Sequence, residues 1–531
     1  MAKRLAAASS SPSKKQRSEA PRLAMPNALE CSVNLTQAEE NLFAFLLNVA
    51  SQPAANGAVL RVAGGWVRDK LLGRDSDDID IVLDCMTGRA FADLINAYET
   101  TQGRSARAVG VIKANPEQSK HLETATMQIG DDMHWVDFVN LRAEAYASED
   151  NRIPTVSIGT PQQDAERRDF TINSLYYNLS TKQVEDYTGR GINDLIKLHL
   201  RTPLEPRVTF LDDPLRVLRA VRFASRFNCT LDDELRAAAQ LVEVRKAFVR
   251  KVSRERVGKE LTSMLIGSAA HPERALRLLH DLNLCESVFL PSILLEKMPL
   301  CHSDGKLAEL EENVWNSSYK CGKEMHRLVA ATDENLDTDA LSAEEKHDVL
   351  VRVLAALLLP FRRLCVRDKR RRSVALVVVQ DFLKLPNRNA KDVAIAVASV
   401  DDFVMATKDA FDRVKVGLLI RRIGAQWKIC CDAARVQEIT NAEGSLDDAR
   451  ASVATRYDYF YSQVQDADLH DVWKLKPLLN GNDLAKHCDI KPGPQMKELL
   501  DRIISWQLVN PAKTRDECLH HFTTSIAANT T

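Results

Sequence analysis

The hydrophobic residues of this 531-residue chain change their spacing near Asp212, and no other feature constrains the fold as strongly. Before that point, between about Val59 and Leu200, apolar residues occur in short runs rich in β-branched and aromatic side chains, which predict strands. After it, segments such as LDDPLRVLRAVRFASRF carry apolar residues at helical spacing. We therefore predict an α+β protein, in which a mixed β-sheet unit is followed by an all-α remainder.

Length and composition predict several units in succession. At roughly 100–200 residues per domain, 531 residues correspond to about three or four units. Hydrophobic residues at 45% and charged residues at 27% are typical of globular proteins, so disorder is expected only at the ends. The polar, acidic stretch from Lys306 to Glu345 predicts a loop. The predicted segments are a disordered or targeting tail (1–30), a sheet-containing head (31–200), a helical neck (201–280), a helical body (281–450) and a helical tail (451–531).

The N-terminal residues MAKRLAAASSSPSKKQRSEAPRLA are rich in Ala, Ser, Lys and Arg, with no acidic residue before Glu19. They lack the apolar core of a secretory signal. A mitochondrial transit segment, a nuclear import signal at Lys14–Arg17 and a solvated tail all fit this composition. We expect the protein in the cytoplasm, with the mitochondrion and the nucleus as further sites.

Two kinds of protein are disfavoured. The most apolar stretch, Val349 to Pro360, is interrupted by Arg352, and no run approaches the roughly 18–20 residues that cross a bilayer, so we expect no membrane contact. The eleven cysteines form no Cys-x-x-Cys pair, so neither a zinc site nor a redox motif is predicted.

The formal net charge is −1, so any contact with nucleic acid must come from local basic surface. A run of seven basic residues is one candidate. It is open whether these charges bind RNA phosphates or are merely solvated. The run comprises Arg362, Arg363, Arg367, Lys369, Arg370, Arg371 and Arg372.

The run RVAGGWVRDKLLGRDSDDIDIVLD, which begins at Arg61, carries the candidate chemistry. A strand is predicted to end near Ala63 and a helix to begin near Trp66. Between them, Gly64 and Gly65 let the backbone approach a ligand such as a triphosphate closely. The alternative for a Gly-Gly pair taken alone is an ordinary tight turn.

Two carboxylates follow in the same run. Asp78 and Asp80 stand at i and i+2 of a predicted strand, so both project from one face. Mg²⁺ prefers hard oxygen ligands, and two carboxylates with substrate phosphates are a typical site for it. Magnesium ions held there would activate a ribose hydroxyl and stabilise a leaving pyrophosphate. Asp137, in the later run VDFVNLR, is either a third carboxylate of this site or an outward-facing strand residue.

Five motifs together resemble the nucleotidyltransferase superfamily branch that holds the eukaryotic and bacterial CCA-adding enzymes and the bacterial poly(A) polymerases. GGWVRD followed by DDIDIVLD resembles the first signature, and RRDFTINSLYYN the second. DYTGRGINDLIKLHLRTP resembles the third, a hinge-like linker. LDDPLRVLRAVRFASRF resembles the fourth, and SRERVGKEL the fifth, which braces the helix of the fourth. The resemblance covers about Leu60 to Leu265, and a weaker one in the tail implies tRNA contact.

The resemblance implies roles for individual residues. The Arg168-Asp169 pair would hold the ribose and phosphates of the incoming nucleotide, with Asp169 selecting ribonucleotides through the 2′-hydroxyl. Asp213 and Arg216 would match the base edges of cytosine and adenine in place of a template. The catalytic residues would be Asp78, Asp80 and Asp137, of which Asp78 and Asp80 hold the metal. The nucleotide-binding residues would be Gly64, Gly65, Arg68, Arg168, Asp169, Asn173, Asp213, Arg216, Arg219 and Arg222.

Structural alternatives stand beside these roles. Asp169 is a helix cap or a surface ion pair if its motif is taken alone. Asp213 before Pro214 has the pattern of a helix cap. Arg256 and Glu260, at i and i+4, would form an ion pair within one helix.

The activity implied is addition of CCA to the 3′ end of tRNA from CTP and ATP, with magnesium as cofactor and release of pyrophosphate. The alternatives are a poly(A) polymerase, an enzyme that adds only CC or only A, and a non-catalytic RNA-binding protein. The expected partners are tRNA, CTP and ATP, and the sequence carries no signal for an oligomeric state.

Overall fold

The computed structural model describes residues 32–76, 78–112, 124–129, 134–145, 155–330, 336–488 and 493–529. The predicted N-terminal tail, 1–30, lies outside the described residues. The chain divides into two units, Met1–Thr209 and Phe210–Thr531. The finer division into neck, body and tail stays a prediction.

The first unit alternates helices with short strands. Its helices are α1 (Gln37–Ala50), α2 (Gly65–Leu71), α3 (Gly88–Thr101), α4 (Pro161–Glu166) and α5 (Gly191–Ile196), with 3-10 turns at Pro53–Ala55 and Thr171–Asn173. Its strands are β1 (Leu60–Ala63), β2 (Ile79–Leu83), β3 (Val109–Ile112), β4 (Thr124–Ile129), β5 (His134–Asn140), β6 (Arg142–Ala145), β7 (Thr155–Ile158), β8 (Leu175–Asn178), β9 (Gln183–Asp186) and β10 (His199–Leu200). The segment resembling a hinge-like linker thus contains α5 and is folded within this unit.

Seven of these strands form one mixed sheet in the order β3-β4-β5-β2-β1-β8-β9. β2 and β5 run parallel, whereas the other neighbouring pairs of this sheet are antiparallel. β6 and β7 pair with each other in a separate two-stranded sheet. The predicted mixed sheet is confirmed.

The two faces of the sheet differ around β5. Val136 and Phe138 are buried, whereas Trp135 is exposed and Asp137 is half-buried, as the alternation of side chains along a strand requires. The ring of Phe91 in α3 lies against Phe138, with centroids 5.4 Å apart, so α3 covers the buried face. The face that bears Trp135 and Asp137 is called the open face below.

A buried ion pair fixes α2, the helix that follows Gly64, against α1. Lys70 Nζ lies 2.8 Å from Glu39 Oε2, and both side chains are buried. The indole N–H of Trp66 donates to Glu39 Oε1 over 3.0 Å. Burial alone would raise the pKa of Glu39, but the hydrogen bonds from Lys70, the Thr36 backbone and Trp66 hold that pKa below its usual value.

The second unit is almost entirely helical, as predicted. The helix α6 (Pro206–Asp212) contains the point of division. The helices that follow are α7 (Leu215–Phe227), α8 (Asp233–Ala239), α9 (Val242–Lys251), α10 (Arg254–Ile266), α11 (Pro272–Asp281), α12 (Cys285–Phe289), α13 (Ser292–Leu295), α14 (Val314–Ala330), α15 (Ala343–Leu358), α16 (Val374–Val377), α17 (Asn387–Ala398), α18 (Val400–Lys408), α19 (Arg413–Ile423), α20 (Trp427–Asn441), α21 (Leu446–Asp466), α22 (Gly481–Cys488), α23 (Pro494–Val509) and α24 (Arg515–Asn529).

Short elements interrupt these helices. The strands are β11 (Thr230–Leu231), β12 (Leu300–Cys301) and β13 (Cys365–Val366), of which β12 and β13 pair. A π-helical turn lies at Val378–Phe382, and 3-10 turns lie at Leu359–Phe361, Gly424–Gln426 and Val472–Lys474.

The most apolar stretch of the sequence forms a core helix. In α15, the residues from Val349 to Leu358 are buried, with the exception of Arg352. Arg352 Nε lies 2.9 Å from Asp432 Oδ2, which satisfies its charge. Within the described ranges, no helix combines the length and apolarity needed to cross a membrane.

The stretch from Lys306 to Glu345 contains loop at 306–313 and 336–342, as predicted, but it also contains the helix α14, which was not predicted. This helix buries Val314, Cys321 and Met325 along one side. The acidic residues around it masked this apolar spacing in the sequence.

Replacing Glu39 tests whether the buried ion pair holds α2 in place. We expect Glu39→Ala to lower the free energy of unfolding by about 2 kcal/mol, because the Trp66 N–H loses its acceptor and Lys70 keeps the exposed Asp75 as its partner. Denaturant unfolding followed by tryptophan fluorescence measures this.

The matched control is Glu40→Ala, at an exposed position of the same helix, with an expected change below about 0.5 kcal/mol. Because the folded pKa of Glu39 is lowered, its contribution is full above a pH of about 4.3 and is lost as the pH falls through the folded pKa. Equal losses in the two variants would contradict the assignment.

Candidate active site

The parallel pairing of β2 with β5 places two acidic side chains next to each other on the open face. Asp80 lies opposite Asp137 in this register. On the other side, Thr126 of β4 lies opposite Asp137, and its hydroxyl donates to Asp137 Oδ1 over 2.5 Å. Asp78 directly precedes β2 and is exposed. The structure therefore brings together the three carboxylates that the sequence singled out.

The pKa of Asp80 is raised to about 6. Burial is the largest cause, and the charges of Asp78 and Asp137 add to it, whereas Arg168 and Arg142 oppose it. Among the described residues, no group of three or more His, Cys, Asp or Glu side chains is placed to enclose a metal ion. A cation at these carboxylates would therefore need oxygen ligands from the substrate or water.

Gly64 makes the turn between β1 and α2. Its φ of +73° is a left-handed conformation that favours glycine, and its N–H donates to the Leu175 carbonyl over 2.9 Å. A Cβ at this position would lie 2.8 Å from Arg168 Nη1. Gly64 thus leaves space for the guanidinium of Arg168. A Cβ at Gly65 would meet Arg68 Nη2 at 3.6 Å, an ordinary contact.

The orientation of Arg168 depends on Asp164, a residue that the sequence analysis missed. Asp164 is fully buried, and its Oδ2 lies 3.0 Å from Arg168 Nη2 and accepts from the Tyr176 hydroxyl over 2.7 Å. Burial alone would raise the pKa of Asp164, but the charges of Arg168 and Arg167 hold that pKa well below its usual range. Its position four residues before Arg168 was the available signal.

Arg68, Asn173 and Asp169 belong to one buried hydrogen-bond network. Arg68 Nη1 donates to Asn173 Oδ1 over 2.5 Å, and Asn173 Nδ2 donates to Asp169 Oδ1 over 3.0 Å. Asp69, which was not predicted, binds Arg68 through a salt bridge of 2.8 Å. Asp169 Oδ1 also accepts from the Phe170 N–H over 2.9 Å. The 3-10 turn that follows has no side-chain cap and Asp169 is buried, so the helix cap and the surface ion pair considered as its structural alternatives are both wrong.

In the second unit, two residues of the fifth motif fix charged residues at α7. Arg256 Nη2 lies 2.7 Å from Asp213 Oδ2, and Glu260 Oε2 lies 2.7 Å from Arg222 Nε. Glu260 Oε1 is also 3.6 Å from Arg219 Nη1. The bracing role is confirmed. The structural alternative, an ion pair between Arg256 and Glu260 within α10, is wrong. Arg256 pairs with Asp213 and Glu260 pairs with Arg222 instead.

Asp213 and Arg216 lie at the start of α7. Burial would raise the pKa of Asp213, but Arg256 and then Arg216 keep that pKa lowered, so the carboxylate is charged near neutral pH. Asp213 Oδ1 also accepts from the Leu215 N–H over 3.2 Å, which is the capping contact expected under the structural alternative. The cap and a role in base recognition are therefore compatible.

The basic run is partly neutralised by neighbouring acids. Arg372 Nε lies 2.6 Å from Asp368 Oδ2, and Arg372 Nη1 lies 2.7 Å from Asp381 Oδ2. Arg362 Nε lies 4.0 Å from Asp401 Oδ1, and Arg363 Nη2 lies 3.9 Å from Asp401 Oδ2. RNA contact by this run stays a prediction.

Known proteins match both the head and nearly the whole length of the chain. Residues 60–201 match the family described as the Poly A polymerase head domain. The chain is 36% identical over 471 residues to the tRNA nucleotidyltransferase cca2 of Schizosaccharomyces pombe, with 87% of this chain and 91% of that protein covered. It is 34% identical over 516 residues to the mitochondrial CCA tRNA nucleotidyltransferase of Saccharomyces cerevisiae, with 92% and 93% covered.

The fold also matches a solved structure. A CCA-adding enzyme in an apo form superimposes with a TM-score of 0.61 at 19% identity, covering 92% of this chain and 96% of that one. The predicted fold class is confirmed. The resemblance carried by the five motifs is confirmed by the relatives that match over nearly the whole chain, and the chain belongs to the CCA tRNA nucleotidyltransferase family.

Proposed function

We propose that this enzyme adds C, C and A to the 3′ end of tRNA from CTP and ATP, without a nucleic-acid template and with release of pyrophosphate. The observation that carries the chemistry is the row of carboxylates on the open face, where Asp80 lies beside Asp137 and next to Asp78. The names of the two full-length yeast relatives support tRNA as the substrate.

Asp78 and Asp80 would hold magnesium, with Asp137 as a third carboxylate. The donor set fits, since a half-buried carboxylate whose neighbours carry the same charge is stabilised by a divalent cation. Bound magnesium would assist attack of the RNA 3′-hydroxyl on the α-phosphate and neutralise charge on the leaving pyrophosphate. The role of Thr126 is to orient Asp137 through its hydrogen bond.

The buried network beside Gly64 would receive the nucleotide. Arg168 is held by Asp164 in a fixed direction, so its guanidinium is oriented before phosphates arrive. Asp169, fixed through Asn173 and Arg68, would accept a hydrogen bond from the ribose 2′-hydroxyl.

Asp213 and Arg216 would read the base. A carboxylate accepts from the amino group of cytosine or adenine, whereas a guanidinium donates to ring and carbonyl acceptors. Arg256 holds Asp213, and Glu260 holds Arg222 and Arg219, so the charged side of α7 is rigid. Cytosine and adenine both present an amino donor beside a ring-nitrogen acceptor, whereas uracil and guanine present a carbonyl acceptor beside an N–H donor. A fixed carboxylate and guanidinium therefore favour CTP and ATP.

The alternatives differ in their product. A poly(A) polymerase shares the head domain, and that match ends at residue 201, so it does not separate the two activities. The full-length similarity favours CCA addition. The description of the S. pombe relative as a tRNA nucleotidyltransferase does not state which nucleotides it adds. Addition of only CC or only A is therefore one of the outcomes that the experiment below distinguishes. The row of carboxylates argues against the interpretation as a non-catalytic RNA-binding protein.

We also propose a mitochondrial location. The S. cerevisiae relative is named as mitochondrial, and the composition of residues 1–30 fits a transit segment. Cytoplasmic and nuclear locations stay predictions.

Sequencing of 3′ ends tests the activity. The purified enzyme is incubated with tRNA that lacks its CCA end, magnesium and CTP, ATP or both. We expect a single CCA end with both nucleotides and a CC end with CTP alone. Tails of many A residues would instead identify a poly(A) polymerase, and an end with only CC or only A in the presence of both nucleotides would identify a partial enzyme.

Removing one metal-binding carboxylate tests the chemistry. We expect Asp78→Ala and Asp80→Ala each to lower kcat for incorporation of labelled CTP by on the order of 10³-fold, because several kcal/mol of transition-state stabilisation are lost. Affinity for tRNA, measured by filter binding, should stay near that of the wild type.

The matched control is Asp93→Ala, which removes an exposed carboxylate of α3 that forms a surface salt bridge with Arg89. It should incorporate CTP at the rate of the unaltered enzyme. Retained incorporation in the Asp78 and Asp80 variants would reject these residues as metal ligands.

Replacing Arg216 tests base recognition. We expect Arg216→Ala to reduce discrimination of CTP and ATP against UTP and GTP about ten-fold, since one forked guanidinium contact is lost. The measured quantity is kcat/KM for each triphosphate. Arg236→Ala in α8 is the control and should keep the wild-type preference. Unchanged selection by the Arg216 variant would exclude Arg216 from base recognition.

A further inference from the structure

A large aromatic side chain lies exposed beside the carboxylates. Trp135 is 59% exposed and stands two residues before Asp137 on β5. Because side chains alternate along a strand, its indole and the Asp137 carboxylate project from the same open face. Two residues of strand correspond to about 7 Å.

The register also brings Trp135 next to the metal-binding position. Ile79 lies opposite Val136 and Asp80 opposite Asp137, so Asp78, one position earlier, is level with Trp135. Neighbouring strands lie about 4.8 Å apart. On its other side, Trp135 pairs with Gln128 of β4, which is only half-buried. The indole therefore borders the carboxylates on an otherwise polar surface.

Among the described residues, none contacts the indole in a way that explains its position. Rings elsewhere in the head contact one another, as Phe43, Trp66 and Tyr177 do, but Trp135 makes no ring contact or hydrogen bond with the described part of the chain through its side chain. Tryptophan is enriched at binding surfaces, and the position of this indole beside the carboxylates, more than its exposure, points to a ligand.

We propose that Trp135 is a stacking platform for the 3′-terminal base of the RNA, an inference that rests on the proposed function. The 3′-hydroxyl must reach the carboxylates, so the base on the same ribose lies within one nucleotide of them. The reach from the 3′-hydroxyl to the base of the same nucleotide matches the separation of Trp135 from Asp137.

Stacking also suits a chain end that changes with each addition. The terminal base differs before the first addition, and it is C before the second and third. A π-face accepts every base, whereas hydrogen-bond recognition would favour one of them. Trp135 would thus position each successive end without selecting among them.

A cycle that combines a variant with an abasic RNA tests this proposal. The RNA is tRNA without CCA, with its 3′-terminal nucleotide either intact or abasic, and the KM for RNA, the KM for CTP and kcat are measured. On intact RNA, we expect Trp135→Ala to raise the KM for RNA about ten-fold and to leave the KM for CTP unchanged. Trp135→Phe should restore most of the affinity because it keeps an aromatic face.

The abasic end separates stacking from other roles. With the wild-type enzyme, the abasic RNA should raise the KM for RNA by about the factor by which Trp135→Ala raises it on intact RNA. With the Trp135→Ala enzyme, the abasic RNA should raise the KM for RNA little further. Tyr459→Ala removes an aromatic side chain that is 64% exposed in α21, and it should change none of these values.

Two outcomes overturn the proposal. If the abasic end weakens binding equally in the wild type and in Trp135→Ala, the indole does not contact that base. If the KM for CTP rises in place of the KM for RNA, the indole contacts the incoming nucleotide. A wild-type enzyme that extends no tRNA would instead overturn the proposed function, so the two failures are distinguishable.

Discussion

The parallel register between β2 and β5 is the constraint on which the head depends. Side chains alternate with a period of two, so a slip of one residue would turn Asp80 into the core and Ile81 out to solvent. The face behind the carboxylates opposes such a slip. Gly88, at the start of α3, lies directly against the Phe138 carbonyl, where a larger residue would not fit. The carboxylates that repel one another are thus held in place by contacts on the opposite side of the sheet.

Arginines that the family resemblance assigns to nucleotide binding are oriented, in each unit, by acids that would not themselves contact a substrate. Asp164 holds Arg168 in the head, and Glu260 holds Arg222 in the second unit. In each case the carboxylate comes from a neighbouring turn or helix and is buried or nearly so. A guanidinium held in this way loses less conformational entropy when it binds an anion, because its direction is already set. Both units use this device independently.

Much of the fold and the site followed from local sequence patterns. The change in hydrophobic spacing predicted the sheet unit and the helical unit, and the i, i+2 spacing of Asp78 and Asp80 predicted a shared face. What depends on tertiary contacts did not follow. The sequence pairs Arg256 with Glu260 along one helix, whereas the structure pairs Arg256 with Asp213, just before α7, and Glu260 with Arg222 of α7. The role of Asp164 depends on its contacts with Tyr176 and Arg168. The helix α14 was not predicted because acidic residues flank its apolar positions.

The open face of the sheet has a consequence for how such an enzyme can change. Its polar and exposed residues, such as Gln128 and Trp135, contribute little to the hydrophobic core, whereas the residues behind them, such as Phe138, are fully buried. Substitutions at these exposed positions of the open face therefore cost little folding free energy, in contrast to Val82 on the same face, which is buried. A library directed at this surface, with the carboxylates kept, would sample altered substrate ends while most of its members stay folded. The same division allows natural drift in substrate preference without loss of the reaction.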